Sequence, residues 1–142
     1  MKPEDTIDFH IRWAWLKIAK MYNRMGSGFG LSQSMGLVLL SIDPKEGTPS
    51  TSLGPMMGME STSLSRTLKT MQDRGMIKRG KDVQDKRVMR IFLTKEGARL
   101  RSMASRTVVE FNEKILNQIS PTKLKHFKEV IETIEQQTIK EA

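Results

Sequence analysis

The chain has 142 residues, of which 37% are apolar, 28% are charged and none is cysteine. That length suits a single domain with a modest core, and the lack of cysteine excludes disulfides, thiolate metal centres and thiol redox switches. Of the formal net charge of +8, +7 lies between Glu60 and Arg101, which hold 12 of the 24 Lys and Arg residues and 5 of the 16 acids; charge this localised is a candidate footprint for a polyanion.

The opening Met-Lys-Pro-Glu-Asp lacks the apolar segment of a secretory signal. No apolar run exceeds the four residues of Leu37 to Leu40, far short of the ~20 residues that cross a bilayer. A cytoplasmic location away from membranes is expected. From Thr6 to Met25 the residues Ile7, Ile11, Ala14, Ile18, Met21 and Met25 recur at helical spacing. Phe9, Trp13 and Leu16 form a second row, with Trp15 and Tyr22 further round. A helix with one packing surface needs one stripe, so this helix is expected to touch its own core and something else. Gly26, Gly28 and Gly30 then break it. A phosphate-binding glycine loop follows a strand, whereas this one follows a helix and reads as a linker.

Ser32 is placed to cap a helix carrying Met35, Leu39 and Ile42, which Asp43-Pro44 ends. A loop through Gly47 and Pro49 leads to a short helix over residues 50–59, with Ser50 as its cap. The next helix, Ser61 to Arg74, buries Leu64, Leu68 and Met71 and stops at Gly75. A strand begins at Met76, Asp82 to Lys86 forms a polar turn, and Val88 to Leu93 returns as a second strand. Thr94 is the expected cap of a helix from Lys95 to Ile119; Ser120-Pro121 starts the last helix, with Leu124, Phe127, Ile131 and Ile134 on one stripe. The eleven methionines read as adaptable core filler. The sequence is read as one domain over residues 1–142, mainly α with a small β-hairpin.

A helix–turn–helix followed by a basic hairpin suggests DNA. The second helix of such a unit enters the major groove, with its N-terminal half against base edges. Here that helix exposes Ser61, Thr62, Ser63, Ser65, Arg66, Lys69 and Thr70. Short hydroxyl side chains permit close approach, and Arg66 has the fork to read guanine. An ordinary capped, solvated helix would explain the helix alone equally well. The hairpin shifts the balance, because Lys78, Arg79, Lys81, Lys86, Arg87 and Arg90 crowd into 13 residues. Cations at a loop tip suit a minor groove or flanking phosphates. Asp85 is spaced to hold Arg87 by a charge-assisted hydrogen bond.

The run from Asp85 to Gly97 (Asp-Lys-Arg, an apolar strand, then Leu-Thr-Lys-Glu-Gly) resembles the wing signature of the MarR family of winged helix–turn–helix regulators. Leu64-Ser65-Arg66-Thr67-Leu68 and Asp73-Arg74-Gly75-Met76-Ile77 resemble that family's recognition helix and its exit. The resemblance implies a winged helix–turn–helix lobe over residues 31–94, with dimerisation helices over 5–25 and 95–139. It implies a homodimer on a pseudo-palindromic operator, more often a repressor than an activator. It also implies that Arg87 or Lys86 enters the minor groove while Asp85 orients the arginine, with Lys81 beside them on the wing. Family members often bind small aromatic or phenolic effectors between the dimer helices and the DNA-binding lobe, and His10, Trp13, Tyr22 and Met35 are the candidate lining here. The chain departs from the family pattern at Pro55, where a helix former is usual, and at Lys86, where arginine is common; Pro55, which lacks a backbone donor, and Gly54 beside it are expected to disturb the short helix before the recognition helix.

No catalytic constellation is recognisable, so an enzyme is not expected, nor is a cofactor. His126 and Glu129 lie one turn apart but are too few to hold a metal. The competing reading is a winged-helix module for RNA or a protein partner. Single-stranded RNA readers present aromatic platforms, and the basic segment holds only Phe92.

Overall fold

The computed structural model describes residues Met1 to Ala142. Two compact units divide them, Met1–Ser105 and Arg106–Ala142. In the first unit Thr6 caps helix α1 (Ile7–Gly26), its hydroxyl accepting the Phe9 N–H at 3.2 Å. None of the 20 residues of α1 is fully buried. One 3-10 turn, Ser27–Phe29, leads to Gly30 in the left-handed region and then to α2 (Gln33–Ser41). The Ser32 hydroxyl caps α2 by accepting the Met35 N–H, as expected. The Asn23 side-chain oxygen accepts the Gln33 N–H at 2.7 Å, so α1 also helps to start α2.

The loop expected after α2 contains a two-residue strand, β1 (Thr48–Pro49). Helix α3 (Ser50–Met57) follows without a break, and its N-cap is Pro49 rather than Ser50. Ser50 is already helical because the preceding proline lies on the edge strand and sets the entry angle. Pro55 lies inside α3 yet does not end it. Both Pro55 and Thr51, whose carbonyl loses its helical partner, are exposed, so that carbonyl is not left unpaired in the core. Gly54 is buried, and its carbonyl accepts the N–H groups of Gly58 and Met59 where α3 closes. A side chain there would stand 3.2 Å from the Met59 carbonyl oxygen, so glycine fits the tight exit.

Helix α4 (Ser61–Asp73) buries Leu64, Leu68 and Met71, and Gly75 at φ +73° turns the chain out of it. Strands β2 (Ile77–Lys81) and β3 (Met89–Leu93) form the hairpin, and β3 is the centre of a three-stranded antiparallel sheet ordered β1-β3-β2. The register pairs Ile77 with Leu93 and Lys81 with Met89. Helices α2, α3, α4 and the sheet enclose a core that includes Val38, Leu39, Ile42, Leu53, Met71, Ile77 and Ile91. Each such side chain contributes roughly 1.5–3 kcal/mol of burial. Met35, Met57, Met59 and Met103 pack on its rim, consistent with methionine as filler.

Helix α5 (Lys95–Leu116) starts in this unit. The Thr94 hydroxyl accepts the Gly97 N–H at 3.0 Å and donates to the Gly75 carbonyl at 2.5 Å, with the Met76 carbonyl 3.0 Å away. A Cβ on Gly97 would stand 1.9 Å from the Met76 oxygen, so α5 and the α4–β2 turn meet backbone to backbone. The Leu-Thr-x-x-Gly run is therefore one joint: a threonine that ties the turn and a glycine that lets α5 approach it.

In the second unit α5 ends at Leu116, three residues before Ile119, in a hydrogen-bonded turn. Ser120 then caps α6 (Pro121–Glu141), accepting the Lys123 N–H. No residue of α6 is fully buried, and Phe127, Val130 and Ile139 are exposed. No helix of the chain is long and apolar enough to cross a membrane.

Candidate nucleic-acid interface

The outer side of α4 is built by what its inner side buries. With Leu64, Leu68 and Met71 turned inward, the helical period leaves Ser61, Thr62, Ser63, Ser65, Arg66 and Lys69 exposed. Thr70 is half-buried, and its hydroxyl donates to the Arg66 carbonyl. Lys69 faces Asp73 across 3.7 Å in a fully solvated pair, which holds the lysine only weakly. The structure gives Arg66 no side-chain partner, so its fork is available. The helix N-terminus has no side-chain cap, since Glu60 makes no capping hydrogen bond; its first N–H groups therefore face solvent.

The hairpin tip is ordered by carboxylates. Asp82 Oδ2 accepts the N–H groups of Gln84 and Asp85, each at 2.9 Å. The Asp82 N–H donates to the Val88 carbonyl and the Val88 N–H to the Asp85 carbonyl, which closes the loop. Asp85 then grips Arg87: Oδ1 accepts its backbone N–H and its Nε–H at 3.0 Å, and Oδ2 accepts Nη2–H at 3.1 Å. The Arg87 side chain is 89% exposed, so it is aimed without being covered. The Arg87 guanidinium, followed by the Arg87 N–H, holds the Asp85 carboxyl below the usual carboxylate range. The Asp85 and Gln84 amides, more than Arg90, do the same for Asp82. Lys81 and Lys86 are exposed beside Arg87.

Not all of the basic segment's charge is outward. Arg90 was counted with the hairpin cations, but it points inward and is held by Asp82, Glu46 and Gly47. Arg74 Nη1 donates to the Gly30 carbonyl at 2.7 Å, and Arg101 Nε donates to the Leu39 carbonyl at 3.1 Å. Arg79 donates to the Gln72 side chain, and Arg99 pairs with Glu96. Arg74, Arg79, Arg90 and Arg101 join neighbouring elements of the fold, whereas Arg99 and Glu96 pair within α5; sequence reasoning missed these partners. A carboxylate one position beyond a strand whose partner carries Arg90 was the available signal, and it is readable only once the strand register is known.

The four candidate effector residues do not form one cluster within the chain. His10 and Trp13 flank Phe9 on α1, at ring separations of 5.5 Å and 6.2 Å. Tyr22 lies nine residues further along, about 13 Å at the helical rise. It is half-buried, and burial raises its phenol above the ordinary range. Met35 packs on the core rim in α2.

Residues 31–89 match the MarR family model. No curated protein sequence matches the chain. A MarR/EmrR family transcriptional regulator from Acinetobacter sp. ADP1 shares the fold at TM-score 0.86 and 16% identity over 99% of each chain. MepR of S. aureus, solved as a DNA complex, matches at TM-score 0.82 and 17% identity, over 93% of this chain and 98% of that one. CouR of Rhodococcus jostii RHA1, solved with p-coumaroyl-CoA bound, matches at TM-score 0.82 and 22% identity over 94% of each.

Proposed function

Because residues 31–89 carry the MarR-family segment and the chain has the winged-helix fold of that family's solved members, we propose that this protein is a sequence-specific transcriptional regulator. It binds double-stranded DNA as a homodimer on a pseudo-palindromic operator and represses by covering promoter DNA in the cytoplasm. The observation that carries the reading is the pairing of two outward features on one lobe. One is the hydroxyl-rich, cation-bearing side of α4, and the other is an exposed Arg87 held in a fork by Asp85. The α4 N-terminal half enters the major groove, where Arg66 reads a base edge and Ser61, Thr62, Ser63 and Ser65 allow close approach. Lys69, Thr70, Lys81 and Lys86 meet the backbone, and Arg87 enters the minor groove.

The unburied apolar sides of α1 and α6 support dimerisation through these helices, with Ile7, Trp15, Phe127 and Ile139 among their exposed residues. A second copy places two recognition helices about one DNA turn apart. Release by a small aromatic or phenolic effector is the corresponding regulation, with His10, Trp13, Tyr22 and Met35 as the candidate contacts. CouR, itself solved with an aromatic CoA thioester, supports that class of ligand. Such a ligand acts by favouring one arrangement of the two DNA-binding lobes. The RNA alternative loses its one stacking candidate. Phe92 is half-buried, and a Cβ on Gly47 or Gly80 would stand within 3.0 Å of its ring.

The test is selection from a random pool of duplexes of ~30 base pairs, a length that holds two half-sites one turn apart. The expected result is a palindromic motif whose affinity falls steeply with salt. Arg87→Ala then weakens binding with the fold intact. Arg66→Ala costs about 1–3 kcal/mol and relaxes preference at one base. Sedimentation should return twice the 16.2 kDa of one chain. Preference for single-stranded RNA over the selected duplex would overturn the reading.

A further inference from the structure

Arg90 joins three segments of the DNA-binding lobe. Its Nη1 donates to Asp82 Oδ1 at 2.8 Å, its Nε to the Glu46 carbonyl at 3.1 Å and its Nη2 to the Gly47 carbonyl at 3.2 Å. The Arg90–Asp82 ion pair is mostly shielded, at 22% and 19% side-chain exposure, whereas the Arg87–Asp85 pair is exposed at 89% and 41%. Both ends of this bridge are tied by hydrogen bonds of their own. On one side Asp43 shapes the loop before β1: its Oδ1 accepts the Lys45 and Glu46 N–H groups, its carbonyl accepts the Gly47 N–H, and its own N–H donates to the Thr48 hydroxyl. On the other side Asp82 holds the Gln84 and Asp85 amides, and Asp85 holds Arg87. A continuous line of charge-assisted hydrogen bonds therefore runs from the α2–β1 loop through Arg90 and Asp82 to the guanidinium at the hairpin tip.

We propose that Arg90 is a positioning residue that fixes the hairpin tip, and with it Arg87, against the body of the lobe. This rests on the regulator reading above and deepens it. Without the Arg90 side chain the tip, which extends past the end of the β1 pairing at Arg90, is held to the sheet by the β2–β3 ladder alone, and a two-stranded ribbon is intrinsically loose. Arg87 would still be gripped by Asp85, but the pair would move with the tip. Only an arginine serves, since its planar fork reaches three acceptors in fixed directions, whereas an ammonium is a single point charge.

Two measurements test this, one without DNA. The chain has no cysteine, and Val83 at the tip is 95% exposed, so a nitroxide on Val83→Cys reports tip mobility alone. Arg90→Gln and Arg90→Lys should both narrow its spectrum, with circular dichroism and melting still cooperative. An unchanged spectrum overturns the proposal, whatever the protein binds. The second measurement is a double-mutant cycle on the selected duplex. Arg90→Gln should weaken binding roughly tenfold beside a native Arg87 and by less than about twofold in the Arg87→Ala background, as expected for residues in one network. Equal losses in both backgrounds mean that Arg90 acts on DNA directly, which also overturns it. If no duplex is bound at all, the regulator reading falls, and the nitroxide spectrum alone decides whether Arg90 fixes the tip.

Discussion

The salt dependence of DNA binding tests the division of cations between the outer face and the fold. On the proposed reading five cations per protomer meet DNA, Arg66, Lys69, Lys81, Lys86 and Arg87, while Lys78 and Lys95 are exposed but assigned no contact. Arg74, Arg79, Arg90, Arg99 and Arg101 are committed to partners within the chain. In a dimer, ten outward cations displacing ten counterions give a slope of log affinity against log salt of about −9. Doubling the salt then costs about 500-fold in affinity. If all 12 basic residues between Glu60 and Arg101 took part, the slope would be about −22. The assay is fluorescence anisotropy on the selected duplex across a salt series at fixed pH. Lys86→Gln, which removes one outward charge from each protomer, should make the slope shallower by about 2. Arg74→Gln should leave it unchanged, because that guanidinium is occupied at Gly30. A slope near −22, or an equal effect of the two substitutions, would refute the division. A slope shallower than about −4 would mean that fewer than half of the outward cations reach phosphate.

Gly97→Ala forces a Cβ into the Met76 carbonyl; overpacking of this kind costs roughly 1–3 kcal/mol or more, and calorimetry should show a lower melting temperature with the Thr94 cap strained. Thr94→Val should also destabilise, by about 1–2 kcal/mol for a lost cap, because it removes the acceptor for Gly97 and the donor to Gly75. In acid, Asp43, Asp82 and Asp85 matter together, since hydrogen bonds hold all three carboxyls below their ordinary range in the folded chain. A depressed folded pKa gives stability that is complete above the unfolded value of about 3.9 and is lost as pH falls through the lower folded value. Urea midpoints should therefore be flat near neutrality and drop below about pH 4. Asp82→Asn should make that drop shallower, and an unchanged acid limb would show that Asp82 carries none of it.

How much the sequence disclosed depended on how local each feature is. The helices were legible because period, caps and stops lie within a few residues: Ser32 and Ser120 cap where expected, Thr6 caps one residue before the helix rather than opening it, and Gly75 ends α4 where expected. The Asp85–Arg87 fork was legible for the same reason, being two residues long. Strand β1 was not, because two residues have no period and one of them is a proline whose pairing depends on Arg90, 41 positions away. The limits of α3 were misjudged through Ser50, a good capping type placed one residue too late by that hidden strand. Pro55 and Gly54 read as helix-disturbing because the sequence does not say that Pro55 lies on the exposed side of α3 or that the chain turns back on Gly54 at Met59. The arginine partners at Gly30, Leu39 and Glu46 are 44 to 62 positions distant, so a charge count took them for surface.

Those partners bear on how the lobe would recognise DNA. Backbone carbonyls at the junctions of the fold are met by Arg74, Arg90 and Arg101, and at Arg90 several donors of the fork are used at once. Lys81 and Lys86 stay exposed, suited to phosphates that need charge and little geometry. Arg66 and Arg87 are the exceptions, forks left at the surface, one without a partner and one aimed by Asp85. If geometry is the reason, Arg66→Lys should keep most of the affinity and the salt slope while losing preference at one base pair, by about 1–3 kcal/mol between the right base and a wrong one. Sequencing the duplexes that this variant selects measures that loss directly. A variant that selects the native motif unchanged would mean that Arg66 supplies charge alone, and the reading of bases would then have to come from the hydroxyls of Ser61, Thr62, Ser63 and Ser65 or from the shape of the DNA itself.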